Sequence, residues 1–370
     1  MSINAKKKPS SNSAGAARGA LRETARKLRV LFDINHPADV HQFSSVVKIL
    51  ESRGHTVRVV ARDKDCTFDL LHYYNIPFVP RRGFSGWKKI PGIFAIDYML
   101  LKEARRFKAD VLVGSSGNLY VAHVGRLLGK PSLVIDDTEH SKVQNLLTFP
   151  FATRILTPDT YSLDLGKKHM TYRGFKELAY CSPDYFRPKK TVLKKLGLNS
   201  PDRYFIIRLV AWSASHDIGE KRLFDVKKTV RLLEQHGKVF ISHENPESLS
   251  RTLRKYLIPL EPAEFLDALY FARLVVSEGG TTAAEAACLG TPVVYANPLM
   301  PGYLRSIIKS SELIKTASSD SQIKSATDYF LSADRTRTHY RKLAQKLAES
   351  SSDINLLIAD TIEDLALNSN

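Results

Sequence analysis

The stretch VVSEGGTTAAEAACLGTPVVYANP, residues 275–298, runs an apolar strand into two glycines and two threonines, then into a helix bearing one carboxylate, Glu285. A second apolar segment, PVVYAN (292–297), follows that helix. Strand, helix and strand in so short a span read as a βαβ unit of a parallel sheet. Gly279 and Gly280 let a ligand approach the backbone. Thr281 and Thr282 add hydroxyl and N–H donors. The helix start offers unpaired N–H groups and the positive end of a dipole, which together suit a phosphate. Glu285 lies about one turn beyond Thr282, where its carboxylate can accept two ribose hydroxyls.

Upstream the same rhythm recurs. RYFIIRLV (203–210) and KVFISHE (238–244) read as strands, separated by the helical EKRLFDVKKTVRLLEQHG (220–237) with its glycine terminator, and PAEFLDALYFA (262–272) reads as a helix. An earlier half begins with a nearly continuous apolar strand, residues 28–34, which suits a parallel strand buried on both faces. Phe43, Val46, Val47 and Leu50 then follow helical spacing, Gly54 closes that helix, and residues 56–61 form a strand. Further strands are expected at 110–115, 131–137 and 153–158. After Gly174 the pattern breaks into a Pro-, Lys- and aromatic-rich connection. The expected fold class is therefore α/β, with two Rossmann-like parallel-sheet domains facing a cleft. The expected boundaries are a disordered basic tail (1–27), a first, acceptor-side domain (28–177), a linker (178–200), a second, donor-side domain (201–340) and a C-terminal helix (341–370) packing back across the cleft.

These motifs resemble the GT-B superfamily. Within it they are similar to the N-acetylglucosaminyltransferase that makes lipid II and to the non-hydrolysing UDP-N-acetylglucosamine 2-epimerases. FDINHPADVHQF, ESRGHTV, RGFKELAY, RLVAWSASHD and EGGTTAAEAACLGTPVV look closest to an uncharacterised GT-B-like family known as a domain of unknown function, over residues 28–347. The resemblance to the transferase implies that Gly279 and its neighbours hold a donor diphosphate, and that Glu285, six positions on, binds ribose. The LGTP turn follows at the transferase's distance, whereas matching the epimerases needs a one-residue shift. The resemblance to the epimerases implies proton transfer by Glu139, although the residues after it depart from their pattern.

Ligands of open α/β sheets bind at the carboxyl ends of strands, which selects the loops rich in ionisable groups. His36 and His41 flank the first such loop and are candidate bases, because imidazole titrates in the useful range. His41 is expected to be kept neutral by the helix dipole, and Asp33 to orient one imidazole. Asp137 and Glu139 can hold the sugar or act as base. Arg208 and His216 are placed to meet a diphosphate and assist its departure. Asp63 and Asp65 spell Asp-x-Asp but follow a strand where such a metal site has no support. No metal and no cofactor are expected, the nucleotide diphosphate sugar being a donor substrate.

The chain carries a net charge of +17, with eight basic residues against Glu23 alone in residues 1–29. Such a balance suits an anionic ligand, membrane surface or nucleic acid. No RNA- or DNA-binding motif accompanies it, so a nucleic-acid-binding protein ranks third. No apolar run reaches the ~18 residues of a membrane span, and no apolar h-region opens the chain. Cys66, Cys181 and Cys288 lack metal-ligand spacing and read as thiols in a reducing cytoplasm. Residues 81–108 mix basic side chains with Phe84, Trp87, Ile90, Ile93, Phe94 and Met99, a composition that can meet an anionic membrane. The leading expectation is a metal-independent glycosyltransferase of surface polysaccharide or glycolipid synthesis, its acceptor a glycan or lipid-linked hydroxyl. The second is a UDP-N-acetylglucosamine 2-epimerase-like enzyme. Either is expected in the cytoplasm, with the inner membrane face as its working position.

Overall fold

The computed structural model describes residues 26–84, 89–115, 118–137, 141–201, 204–210 and 222–368. Most of the basic tail, Trp87, Glu139 and His216 lie outside these residues. Seven strands form the first sheet: β1 (Arg29–Ile34), β2 (Thr56–Arg62), β3 (Phe78–Arg81), β4 (Val111–Gly114), β5 (Ser132–Ile135), β6 (Arg154–Pro158) and β7 (His169–Tyr172). All neighbours pair in parallel, in the order β3-β2-β1-β4-β5-β6-β7. The second sheet holds β8 (Tyr204–Leu209), β9 (Lys238–His243), β10 (Leu274–Ser277), β11 (Val293–Tyr295) and β12 (Ile314–Thr316), parallel in the order β12-β11-β10-β8-β9. Strands β3, β7 and β12 escaped the sequence reading. Each is three or four residues at a sheet edge, and β3 contains Pro80, so none carries a long apolar run.

The helices of the first half are α1 (Pro37–Ser52), α2 (Thr67–Tyr73), α3 (Lys89–Phe107), α4 (Leu119–Leu128) and α5 (Lys142–Thr148). The connection contains α6 (Leu178–Cys181) and α7 (Thr191–Lys195). The second half carries α8 (Val226–Glu234), α9 (Arg251–Arg254), α10 (Phe265–Phe271), α11 (Gly280–Cys288), α12 (Gly302–Ser310) and α13 (Asp320–Leu331), and the chain closes with α14 (Arg337–Glu349) and α15 (Ile354–Leu367). Helix α1 shows why its sequence folds as it does. His36 caps it with Asp39 as reciprocal partner, Pro37 occupies its first turn, and Val40, Phe43, Val46, Val47 and Leu50 are buried. Gly54 ends it with φ +84, a conformation that favours glycine.

The start of the connection is a buried wedge, since Leu178, Ala179, Tyr180 and Cys181 all lie in the core, whereas residues 187–191 run exposed. The C-terminal region comprises two helices. α14 packs on α11 of the second half, with Arg337 donating to the carbonyls of Phe271 and Tyr270 at 2.7 and 2.6 Å. α15 packs on α1 of the first, where Arg53 meets Asp360 at 2.8 Å and Glu363 at 3.0 Å, and His55 meets Glu363 at 2.9 Å.

In each sheet the strand order reverses beside the first strand, between β1 and β4 and between β8 and β10. Crevices at such switch points take ligands. The two open onto one cleft, because residues following β1, β8 and β10 line the same cavity. Among the described residues no helix is long and apolar enough to cross a membrane.

Candidate active site

The cleft has a volume of about 830 Å³ and is walled by both halves. On the second half, α11 begins at Gly280, with Gly279 as its N-cap, and no side chain caps it. Its first-turn N–H groups lack a side-chain acceptor, and Gly279, Gly280, Thr281 and Thr282 line the cavity. The Ser277 hydroxyl fixes the approach, accepting from the Gly279 N–H at 3.1 Å and donating to its carbonyl at 2.8 Å. Glu278 is buried and anchored by the Arg222 Nε at 2.6 Å and the Val210 N–H at 3.0 Å.

Arg208 leaves β8 into the same wall. It donates to the Ser242 hydroxyl at 2.9 Å and to Glu244 at 3.1 Å, while its Nε is buried without a hydrogen-bond partner among the described residues. A guanidinium that lines the cavity beside an open helix start is equipped for an anion. Glu285 lies one turn further in. Its carboxylate accepts from the Tyr180 hydroxyl at 3.0 Å. Burial raises its pKa to about 7, against Tyr180, Arg208 and Lys176, which favour the ionised form.

The first half contributes two imidazoles with different roles. His36 Nδ1 accepts from the Ala38 N–H at 3.2 Å as part of the α1 cap, so the neutral ring carries its proton on Nε2 and acts as a donor. Desolvation and the Lys64 charge lower its pKa to about 4. His41 is buried; its Nδ1 lies 2.8 Å from the Tyr74 hydroxyl, and its ring stacks on Tyr180 with centroids 5.1 Å apart. Burial pushes His41 down to about 4. The expectation that a helix dipole does this is corrected: His41 is the fifth residue of α1, beyond the turn where the dipole acts, and desolvation is the cause.

The structure thus gathers His36, His41, Arg208, Gly279, Gly280, Thr281, Thr282 and Glu285 around one cavity. It does not bring Asp33 or Asp137 to the cavity wall. Asp33 is fully buried between Arg81, at 2.7 and 3.0 Å, and the Asn118 amide at 2.8 Å, so it ties β1 to β3 and to the start of α4 and orients neither imidazole. Asp137 pairs with Lys176 at 2.6 Å. Cys66, His243, Glu244 and Tyr303 line the cleft as well. Tyr180 and Tyr74, which hold Glu285 and His41, were missed as individual residues. RGFKELAY was conspicuous in the sequence, but a tyrosine's partners depend on tertiary packing, within the first half for Tyr74 and between the halves for Tyr180. Among the described residues no group of three or more His, Cys, Asp or Glu is placed to hold a metal ion.

Two parallel sheets whose switch points face each other across a cleft define the GT-B fold, and this chain has it. The chain belongs to the family described as "Protein of unknown function (DUF354)", whose model matches residues 28–353. An uncharacterised Methanocaldococcus jannaschii protein is 25% identical over 304 residues, covering 78% of this chain and 88% of the relative. Among solved structures, the UDP-GlcNAc 2-epimerase of Neisseria meningitidis bound to UDP-GlcNAc superposes with a TM-score of 0.64 at 12% identity, over 91% of this chain and 100% of that one. Spinosyn rhamnosyltransferase SpnG, complexed with spinosyn aglycone, gives 0.60 at 14% identity, over 90% and 99%. At these identities the likeness is one of fold.

Proposed function

We propose that the cleft binds a nucleotide diphosphate sugar and that the protein transfers the sugar to a hydroxyl of a surface polysaccharide or glycolipid acceptor. One observation carries the reading: the uncapped start of α11, flanked by Arg208 and Glu285, shares its cavity with His36 and His41 of the opposite half. In this reading the α11 N–H groups and Arg208 hold the diphosphate and stabilise its charge as the glycosidic C–O bond breaks. Glu285 accepts ribose hydroxyls, and the His36 Nε2–H donates to the donor's polar groups. His41 takes the acceptor proton through Nε2, in the tautomer whose Nδ1–H donates to the Tyr74 oxygen. The acceptor oxygen bonds to the sugar, and the nucleoside diphosphate leaves with the electron pair of the broken bond. The donor serves as substrate, and no cofactor takes part.

The second reading is 2-epimerisation of a UDP-sugar, supported by the match to the full length of the Neisseria epimerase. Product analysis separates the two. Transfer releases nucleoside diphosphate only with acceptor present, whereas epimerisation yields an isomeric nucleotide sugar with no acceptor. The founding test is thermal shift with a panel of nucleotide sugars. Selective stabilisation that disappears in Glu285→Ala is the expected result, and no shift with any of them removes both readings.

A further inference from the structure

We infer that the outer face formed by α3, α4 and α5 seats on an anionic lipid bilayer. His123 of α4 knits the three helices into one surface. Its Nδ1 lies 2.9 Å from Asp97 of α3, its Nε2 lies 2.9 Å from the Leu147 carbonyl of α5, and its edge meets the Phe151 ring at 4.9 Å. Around this junction large apolar side chains stand in solvent: Phe94 is 72% exposed, Tyr98 69%, Val143 75% and Leu146 73%, with Phe151 exposed beside them. One isolated exposed leucine would be ordinary, but a group gathered on adjoining helices marks an interaction surface.

The charge around the patch selects the occupant. Only two acids lie on these helices, and both are engaged, Asp97 with His123 and Glu103 with Arg58 at 2.5 Å. Lys102, Arg126 and Lys142 remain exposed. Along α3 the spacing of Phe94, Tyr98, Lys102 and Arg105 makes a single stripe that passes from apolar to basic. It ends at a groove of about 320 Å³ lined by Arg26, Arg29, Arg105, Lys108 and Lys130, whose one acid, Asp110, is paired with Arg26 at 2.9 Å. Apolar groups that enter the acyl boundary, with cations level with phosphate headgroups, describe a peripheral membrane face. A second copy of the chain would set these cations against like charges. The inference is independent of the cleft's chemistry.

The test is co-sedimentation of the full chain with vesicles of phosphatidylglycerol and phosphatidylcholine in equal parts, or of phosphatidylcholine alone, at about 0.15 M salt. The wild type is expected to pellet with the anionic vesicles only. A Phe94→Ser, Tyr98→Ser, Leu146→Ser variant with unchanged Tm is expected to lose about tenfold or more in binding. Wild-type-like pelleting of the variant overturns the inference, because the basic N-terminal residues alone then account for binding. A wild type that stays in solution with both vesicles overturns it too, as does a wild-type dimer that the variant reduces to a monomer without vesicle binding.

Discussion

Tyr180 joins the two sides of the candidate site, stacking on His41 and donating to Glu285. Its hydrogen bond favours the ionised carboxylate, and Glu285 still titrates at about 7. If the ionised group accepts ribose hydroxyls, nucleotide affinity rises with pH through that value. Tyr180→Phe keeps the stack and removes the bond, so the midpoint moves to higher pH and affinity at pH 7 falls by up to about tenfold, or ~1.4 kcal/mol. Calorimetric titration between pH 6 and pH 8.5 checks this, and an unmoved midpoint rejects the role given to Tyr180. Glu285 was legible as a site residue from its spacing after the glycines. Its proton affinity was not, because that depends on burial by residues about a hundred positions earlier in the chain, Tyr180 among them.

At the scale of an element, the start of α11 separates its two glycines. A Cβ on Gly279 would meet nothing nearer than Val210 at 3.6 Å. On Gly280 it would come within 2.7 Å of the Tyr303 hydroxyl, in the wall of the cleft. Gly280→Ala is therefore expected to crowd the helix start and weaken nucleotide binding about tenfold, while Gly279→Ala binds nearly as the wild type. Equal effects in a thermal-shift titration would show that this backbone approach does not matter. The strand–glycine–helix pattern was readable because β10 and α11 are set by local apolar runs and turn residues. Strands β3, β7 and β12 were not, since edge strands of three or four residues form by pairing with a sheet already in place.

At the scale of the molecule, the halves meet over a buried acid. Glu177 is fully inaccessible, and neither carboxylate oxygen has a hydrogen-bond partner among the described residues. Burial raises its pKa to about 8, with Lys176 opposing and Asp137 and Glu285 adding to the rise. A raised acid holds its proton in the folded state longer than in the unfolded one. Its contribution to stability therefore falls as pH climbs from the ordinary carboxyl range through about 8. His36 and His41, lowered to about 4, act in the opposite sense, their contribution being lost as pH falls from about 6.5. From pH 7 upward the imidazoles are largely neutral in both states, while Glu285, raised to about 7, adds a slope of the same sign as Glu177. The difference between the wild type and Glu177→Gln therefore isolates Glu177. Urea unfolding at pH 7 and pH 8 should show wild-type stability falling by up to ~1.4 kcal/mol per pH unit, a slope that Glu177→Gln reduces. An identical slope in the variant would place the uptake elsewhere.

The α/β class, the two parallel-sheet halves and the loops at their strand ends were all readable from the chain alone. Those follow from apolar runs such as residues 28–34 and 203–210, and from terminators such as Gly54, all of which act over a few neighbouring residues. Tertiary structure alone decided which loops meet. It sent Asp33 to Arg81 and Asp137 to Lys176, stacked His41 on Tyr180, and returned α15 to the first half through Arg53 and Glu363. Ion pairs, stacks and pKa values depend on distances through space. Such distances arise only when segments far apart in the chain pack together, within one half as for Asp33 and Arg81 or between the halves as for Tyr180 and Glu285.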